Sequence, residues 1–256
     1  MIRIALCGAL GRMGKTITEA ISQQDDMELG AAIESLGHPD LGAQIHNIKL
    51  ECDLLPVVSY SDVVVDFSTH AGAVNHAKIA SDHLKPFVTG VTAFTEDQDA
   101  ILKELSASIP IVKAPNMSVG VNLLYKLVDD AAGILGNDFD IEIVETHHRY
   151  KKDAPSGTAA RLADILSQKQ SDGKIIYGRE GLIGERPIGE IAVHALRGGD
   201  VIGEHTIVFA GLGERVEITH RAHSRMTFAN GVIRAVRFVI DKPAGLYTMN
   251  DVLGLP

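Results

Sequence analysis

Three glycines at a spacing of three, Gly8, Gly11 and Gly14, separate the apolar run Ile2 to Cys7 from a segment in which Met13, Ile17, Ala20 and Ile21 recur at i, i+4, i+7 and i+8. The run reads as a buried strand and the recurrence as one face of a helix, so the glycines occupy a strand-to-helix turn. Few folds accommodate that junction. Glycine lets the turn close tightly, and the helix start aims its unpaired N–H groups at whatever lies beyond the strand end. Downstream, Met27 to Glu34, Val63 to Phe67, Pro86 to Thr89 and Ile111 to Lys113 are four further short apolar runs. Helical patterns lie between them: Ala73, Val74, Ala77 and Ala80 share a face, and Thr95-Glu96-Asp97-Gln98 is a capping box. Strands alternating with helices specify an α/β fold built on a doubly wound parallel sheet.

The pattern changes after Asn116. A helical stretch from Val119 to Leu135 leads into a strand, Asp140 to Thr146, and then longer β-like runs follow at Gly189 to Leu196, Glu204 to Ala210 and Glu214 to Ala222. Gly211-Leu212-Gly213 is a hairpin turn between the last two. These features predict a second, α+β domain with a mixed or antiparallel sheet. Thr227 to Ile240 returns to a helical pattern and is expected to pack back on the first domain. The domains are therefore expected at 1–118 with 226–256, and at 119–225.

With 256 residues, 45% of them hydrophobic, the chain can bury a sizeable core. The net charge of −9 repels nucleic acid and anionic membrane, so neither is an expected partner, and an anionic ligand needs a local basic site. Cys7 and Cys52 give neither a disulfide framework nor zinc-ligand spacing. Together with an N-terminus lacking the pattern of a signal peptide, this predicts a cytoplasmic location. No apolar run approaches the ~20 residues that span a bilayer.

The turn Gly8-Ala9-Leu10-Gly11-Arg12-Met13-Gly14 suits the pyrophosphate of a dinucleotide, which makes the first sheet one of Rossmann type. Glu34 closes the second strand twenty residues after Gly14, where a carboxylate accepts hydrogen bonds from the adenosine ribose hydroxyls. Ser35 follows in place of a cation that would welcome a 2′-phosphate, so NADH is favoured, with Arg12 leaving NADPH open. Phe67 and Ser68, and Gly90 and Thr92, follow two further strands at the edge where open parallel sheets bind ligands.

A second constellation inverts the local field. His147, His148, Arg149, Lys151 and Lys152 stand immediately before Asp153-Ala154-Pro155-Ser156-Gly157-Thr158, and Ser156 opens a helix carrying Ala159, Leu162, Ala163, Ile165 and Leu166. Helix-start N–H groups and two hydroxyls beside cations form a site for carboxylates, with a histidine at hand to donate a proton. Ser156 alone would read as an ordinary N-cap; the five cations are what change that. Adjacent histidines lack the spacing of a zinc pair, so no metal is expected. A Ser156–Lys151 hydrolase would leave the nucleotide turn without a purpose, and neither cysteine has a recognisable site. The residues leave open a reductase of an anionic substrate, another two-domain dehydrogenase acting on an amino or sugar acid, and a non-catalytic NADH-sensing module.

The run from Glu145 to Thr158 resembles the E-[LT]-H-H-x-x-K-x-D-A-P-S-G-T signature of the dihydrodipicolinate (4-hydroxy-tetrahydrodipicolinate) reductases of the diaminopimelate–lysine pathway. Asp66-Phe67-Ser68, Gly90-Val91-Thr92, Ala114 to Asn122 and Ser224 to Phe228 extend the resemblance over nearly the whole chain. It implies that His147 is the proton donor and Lys151 the second catalytic cation, and that His148, Ser156, Gly157 and Thr158 hold the carboxylates of a small dicarboxylate substrate. It further implies dinucleotide contacts from Gly8, Arg12, Met13, Glu34, Gly90, Thr92, Ala114, Asn116 and Met117, and a homotetramer assembled through the second domain's sheet. Ser35 departs from the arginine, and Met117 from the phenylalanine, of many members.

Overall fold

The computed structural model describes residues 1–255. In chain order the elements are β1 (Ile2–Cys7), α1 (Arg12–Ser22), β2 (Met27–Ile33), β3 (Gln44–Ile45), β4 (Ile48–Glu51), β5 (Val63–Asp66), α2 (His70–Asp82), β6 (Phe87–Thr89), α3 (Glu96–Leu105) and β7 (Pro110–Lys113). There follow α4 (Val119–Leu135), β8 (Asp140–His147), α5 (Gly157–Ser167), β9 (Ile175–Tyr177), β10 (Ile191–Arg197), β11 (Gly203–Ala210), β12 (Arg215–Ala222), α6 (Met226–Val239), β13 (Gly245–Tyr247) and α7 (Met249–Leu253). Contacts divide the chain into two compact units: Met1–Val119 together with the stretch from Arg225 onward, and Gly120–Ser224.

The first unit is an eight-stranded sheet in the order β13-β7-β6-β5-β1-β2-β4-β3, parallel except for β3 against β4. Alternation along β1 explains its two cores. Ile4 and Leu6 face α1 and α6 with Ile17, Ile21, Val232 and Val236, whereas Ala5 and Cys7 face the opposite cluster with Ala77, Phe87 and Leu102. The capping box forms as the sequence dictates: Thr95 Oγ1 accepts from Gln98 N–H, and the Gln98 side chain accepts from Thr95 N–H. Four short strands escape the periodicity reading, β3, β4, β9 and β13, because two to four residues are too few to show a period.

The second unit is a five-stranded mixed sheet, β12-β11-β8-β10-β9, with β10 parallel and β11 antiparallel to β8. Its inner face carries Ile141, Ile143, Ile191, Val193, Ile207 and Phe209 under Leu124 and Val128 of α4 and Leu162 and Leu166 of α5. The outer face mixes polar residues with apolar ones such as Val144, Leu196 and Val208. Arg179 forks onto Glu142 at 2.9 and 2.8 Å, and Arg186 and His194 add further contacts to the same carboxylate. Burial pushes the Glu142 carboxyl up, but these partners outweigh it and hold the group below the ordinary range. Among the described residues no helix is long and apolar enough to cross a membrane.

Candidate active site

Parallel register sets the first group of residues in a row. Cys7 pairs with Ile33 on one side and Asp66 on the other, Asp66 with Thr89, and Thr89 with Lys113. The next residue on each strand therefore emerges at the same carboxyl edge: Gly8, Glu34, Phe67, Gly90 and Ala114. The strand order reverses about β1, which is where such sheets open a ligand crevice.

The turn into α1 is built for close approach. Gly8 has φ +79°, and a Cβ on Gly14 would stand 2.1 Å from the Gly8 carbonyl oxygen. Gly11, the N-cap of α1, supplies no side-chain hydrogen bond, whereas Thr69 and Thr95 cap α2 and α3. The first helical bond is Lys15 N–H to Gly11 O, so the N–H groups of Arg12, Met13 and Gly14 precede the ladder, as an anion requires. Glu34 is held at this turn: its carboxylate accepts from Leu10 N–H at 3.1 Å and Ser35 N–H at 2.9 Å, with lone pairs left for ribose hydroxyls. The residues present thus fit a dinucleotide.

Phe67 lies over Gly90, where a Cβ would come within 2.3 Å of its ring. Ser68 is tied by N–H and Oγ to Asp66 at 2.9 and 2.8 Å, and His76 Nδ1 takes the other Asp66 oxygen at 2.5 Å. Cys7, Asp66 and His76 bring their ligand atoms within 4.8 Å of one another. Both Asp66 oxygens are already engaged, and burial holds the Cys7 thiol protonated well above its ordinary pKa. Thr92 is exposed and Asn116 half-buried, its Oδ1 accepting from Ser118 N–H at 2.9 Å. Ala114 and Met117 are buried at 3% and 2% exposure. Met117 packs in the core, and its carbonyl leaves no room for a Cβ at Gly231.

The second group gathers at one end of the second unit's inner face. Alternation along β8 continues from Ile141 and Ile143 to Glu145 and His147. Glu145 is 0% exposed and accepts from both Arg197 Nη atoms at 2.8 Å, from Ser156 N–H at 3.0 Å and from His147 Nδ1 at 2.5 Å. Burial pushes its carboxyl up; Arg197, His147 and the Ser156 N–H together pull it below the ordinary range. For His147 the balance goes the other way, since burial lowers its pKa more than Glu145 raises it. Ser156 caps α5 through Ala159 N–H, and its Oγ meets His205 Nε2 at 3.1 Å. Burial pushes His205 down to about 3.

Lys151 is mostly covered, with Nζ 2.8 Å from Asp153. Its neighbour His148 is half-buried with an unpartnered Nδ1. Gly157 is exposed at the helix start with nothing near its Cβ position, and Thr158 is hydrogen-bonded to Tyr125. Sequence reasoning assigned no role to Glu145, and it missed Arg197, His205 and His220. The alternation of β8 placed Glu145 and His147 on one face; nothing local pointed to the other three. His205 stands opposite Glu145 across β11 and opposite His220 across β12, while Arg197 is the register partner of His147 on β10.

The family description "Dihydrodipicolinate reductase, N-terminus" matches residues 2–117, and "Dihydrodipicolinate reductase, C-terminus" matches 120–253. The chain belongs to the dihydrodipicolinate reductase family. A 4-hydroxy-tetrahydrodipicolinate reductase of Geotalea uraniireducens strain Rf4 is 45% identical over 100% of both chains. Among solved structures, a dipicolinate-bound dihydrodipicolinate reductase from Paenisporosarcina sp. TG-14 superposes with a TM-score of 0.80 over 98% of both chains, at 25% identity. A probable dehydrogenase of Thermotoga maritima, at 12% identity and a TM-score of 0.62 over 98% of this chain and 92% of its own, shares the fold alone.

Proposed function

We propose that this chain reduces 4-hydroxy-tetrahydrodipicolinate to tetrahydrodipicolinate with NAD(P)H, a step of diaminopimelate and lysine biosynthesis. The observation that carries the reading is the start of α5 at Ser156, whose N–H meets the same buried Glu145 that braces His147, in a chain of this family. A sensor that only bound NADH would have no use for a buried histidine–carboxylate pair next to an anion site, which disfavours the non-catalytic alternative.

The substrate is taken as the cyclic imine dicarboxylate left when water departs from the 4-hydroxy compound. The Ser156 hydroxyl, the N–H groups of Gly157 and Thr158, and His148 hold its carboxylates, aided by the positive end of α5. Bound dihydronicotinamide supplies the hydride. His147 gives the accompanying proton, and Lys151 offsets the negative charge of the substrate as it does so. Gly8, Gly11, Arg12, Met13 and Gly14 approach the pyrophosphate, Glu34 the ribose, and Phe67, Ser68, Gly90 and Thr92 the nicotinamide side. Glu34 followed by Ser35 repels a 2′-phosphate, so NADH is the preferred donor.

We further infer a cytoplasmic homotetramer. Tyr177, Leu182, Ile183, Ile188 and Leu196 are exposed on the second unit, apolar surface that assembly would cover. Light scattering on the purified chain should give four subunits of 27.4 kDa each. The function is tested by loss of dihydronicotinamide absorbance with freshly prepared 4-hydroxy-tetrahydrodipicolinate, beside amino-acid and hydroxy-acid panels read with the oxidised cofactor for a gain of that absorbance, and enzyme-free controls. A gain with an amino or sugar acid and no loss with the first substrate would establish the rival dehydrogenase, and no change with any substrate would refute an enzyme.

A further inference from the structure

Glu145 is a fully buried carboxylate for which proton donation by His147 alone gives no reason. Both its oxygens are doubly engaged: one by Arg197 Nη2 and Ser156 N–H, the other by Arg197 Nη1 and His147 Nδ1. Bidentate pairing with a guanidinium fixes the plane of the carboxylate, and the Ser156 N–H fixes its rotation. An ionised carboxylate only accepts hydrogen bonds, so the nitrogen facing it carries the hydrogen. In an imidazole the bond made by one nitrogen sets the state of the other. On the far side of the ring stands Gly203, where a Cβ would lie 3.0 Å from His147 Nε2, closer than side chains ordinarily sit.

We propose that Glu145 is a positioning residue that locks His147 in its Nδ1–H form, and that Gly203 keeps Nε2 uncovered, so that the transferred proton always leaves from Nε2. This inference rests on the reductase reading. In the step, the Nε2–H bond of the imidazolium breaks and its proton passes to the substrate, while the substrate gains the hydride from the dihydronicotinamide. Neutral imidazole remains, still bonded to Glu145 through Nδ1–H.

The groups facing the ring make the proposal measurable. Lys151, itself paired with Asp153, and Arg197 from β10 both disfavour the imidazolium, as does burial. From β11 the His205 ring lies edge-on at 5.3 Å and is neutral at working pH, with His220 beyond it on β12. Glu145 pulls the other way, both by its hydrogen bond and by its charge. Removing its charge therefore lowers the pH at which His147 loses its proton.

Nitrogen NMR on the full-length protein, with the His147 ring assigned by its loss in His147→Gln, should show a pyrrole-type Nδ1 and a pyridine-type Nε2 at alkaline pH. The opposite tautomer, or a mixture, overturns the proposal. In Glu145→Gln the alkaline limb of kcat should move toward acid by about 1 in pH or more, with kcat lowered at least about 10-fold and KM for NADH little changed. An unmoved limb overturns it. Gly203→Ala should lower kcat with KM for NADH retained, and wild-type kcat there would remove Gly203 from the proposal. Should Glu145→Gln fail to fold, the wild-type tautomer decides alone. Wild-type protein that does not turn over the proposed substrate refutes the reductase reading instead, whatever its tautomer.

Discussion

Glu34 is held in place before any ligand arrives, because the Leu10 and Ser35 N–H groups fix its carboxylate at the mouth of the turn. In the proposed function its charge and the missing cation at Ser35 act together on the 2′ position of the cofactor. Ser35→Arg should therefore raise NADPH affinity by about tenfold or less, since Glu34 stays in place; fluorescence titration with both cofactors measures it, and no gain would mean that Ser35 does not face the 2′ group. At the other site, His147→Ala or Lys151→Ala should lower kcat by about 10² to 10⁴ while NADH affinity holds. Steady-state kinetics beside a cofactor titration separates the two quantities. A double variant with near-normal turnover would sink the assignment of both residues.

Elements decide how far a single atom is tolerated. At the start of α1 the backbone folds so closely that a Cβ on Gly14 would meet the carbonyl oxygens of Gly8 and Ala9 at 2.1 and 2.6 Å, neither of which can swing aside. Gly14→Ala should cost about 1–3 kcal/mol or more in denaturant unfolding and weaken nucleotide binding with it. At the start of α5 the contrast is direct: nothing lies within 4 Å of the Cβ position of Gly157. Gly157→Ala should leave stability within about 0.5 kcal/mol and act, if at all, on KM for the substrate. Both turns were legible in the sequence, since a glycine spacing or a Ser-Gly-Thr start lies within one turn of its helix. The short strands β4 and β13 were not, because only their neighbours in the sheet make them strands.

Across the whole molecule, buried titratable groups couple the second unit's stability to pH. His205 has an ordinary pKa of 6.5 and about 3 in the fold. Between those values the unfolded chain binds a proton that the folded chain refuses, so stability is full above 6.5 and falls as the pH drops toward 3. Glu145 acts in the same direction: its depressed carboxyl contributes above its ordinary range, and that contribution is lost on further acidification. Thermal unfolding across that window should show Tm falling with acid, by a free energy on the order of a few kcal/mol for His205. His205→Asn should flatten the dependence near pH 5, and an unchanged slope would exclude His205 as its source.

The sequence by itself determined the alternation of strands and helices, the glycine turn with Glu34 closing the next strand, and the basic segment that ends in a helix start at Ser156. Each depends on periodicity, turn chemistry or spacing within about twenty residues, and such short-range preferences are written locally. Only the tertiary structure decided what braces His147. Arg197 lies 52 residues from Glu145 along the chain, and His205 lies 49 from Ser156. They meet because β10 and β11 flank β8 in one particular register, and strand order and register are fixed by packing of the whole sheet against α4 and α5. Packing of the first unit's sheet against α1 and α6 likewise decides that Met117 is buried.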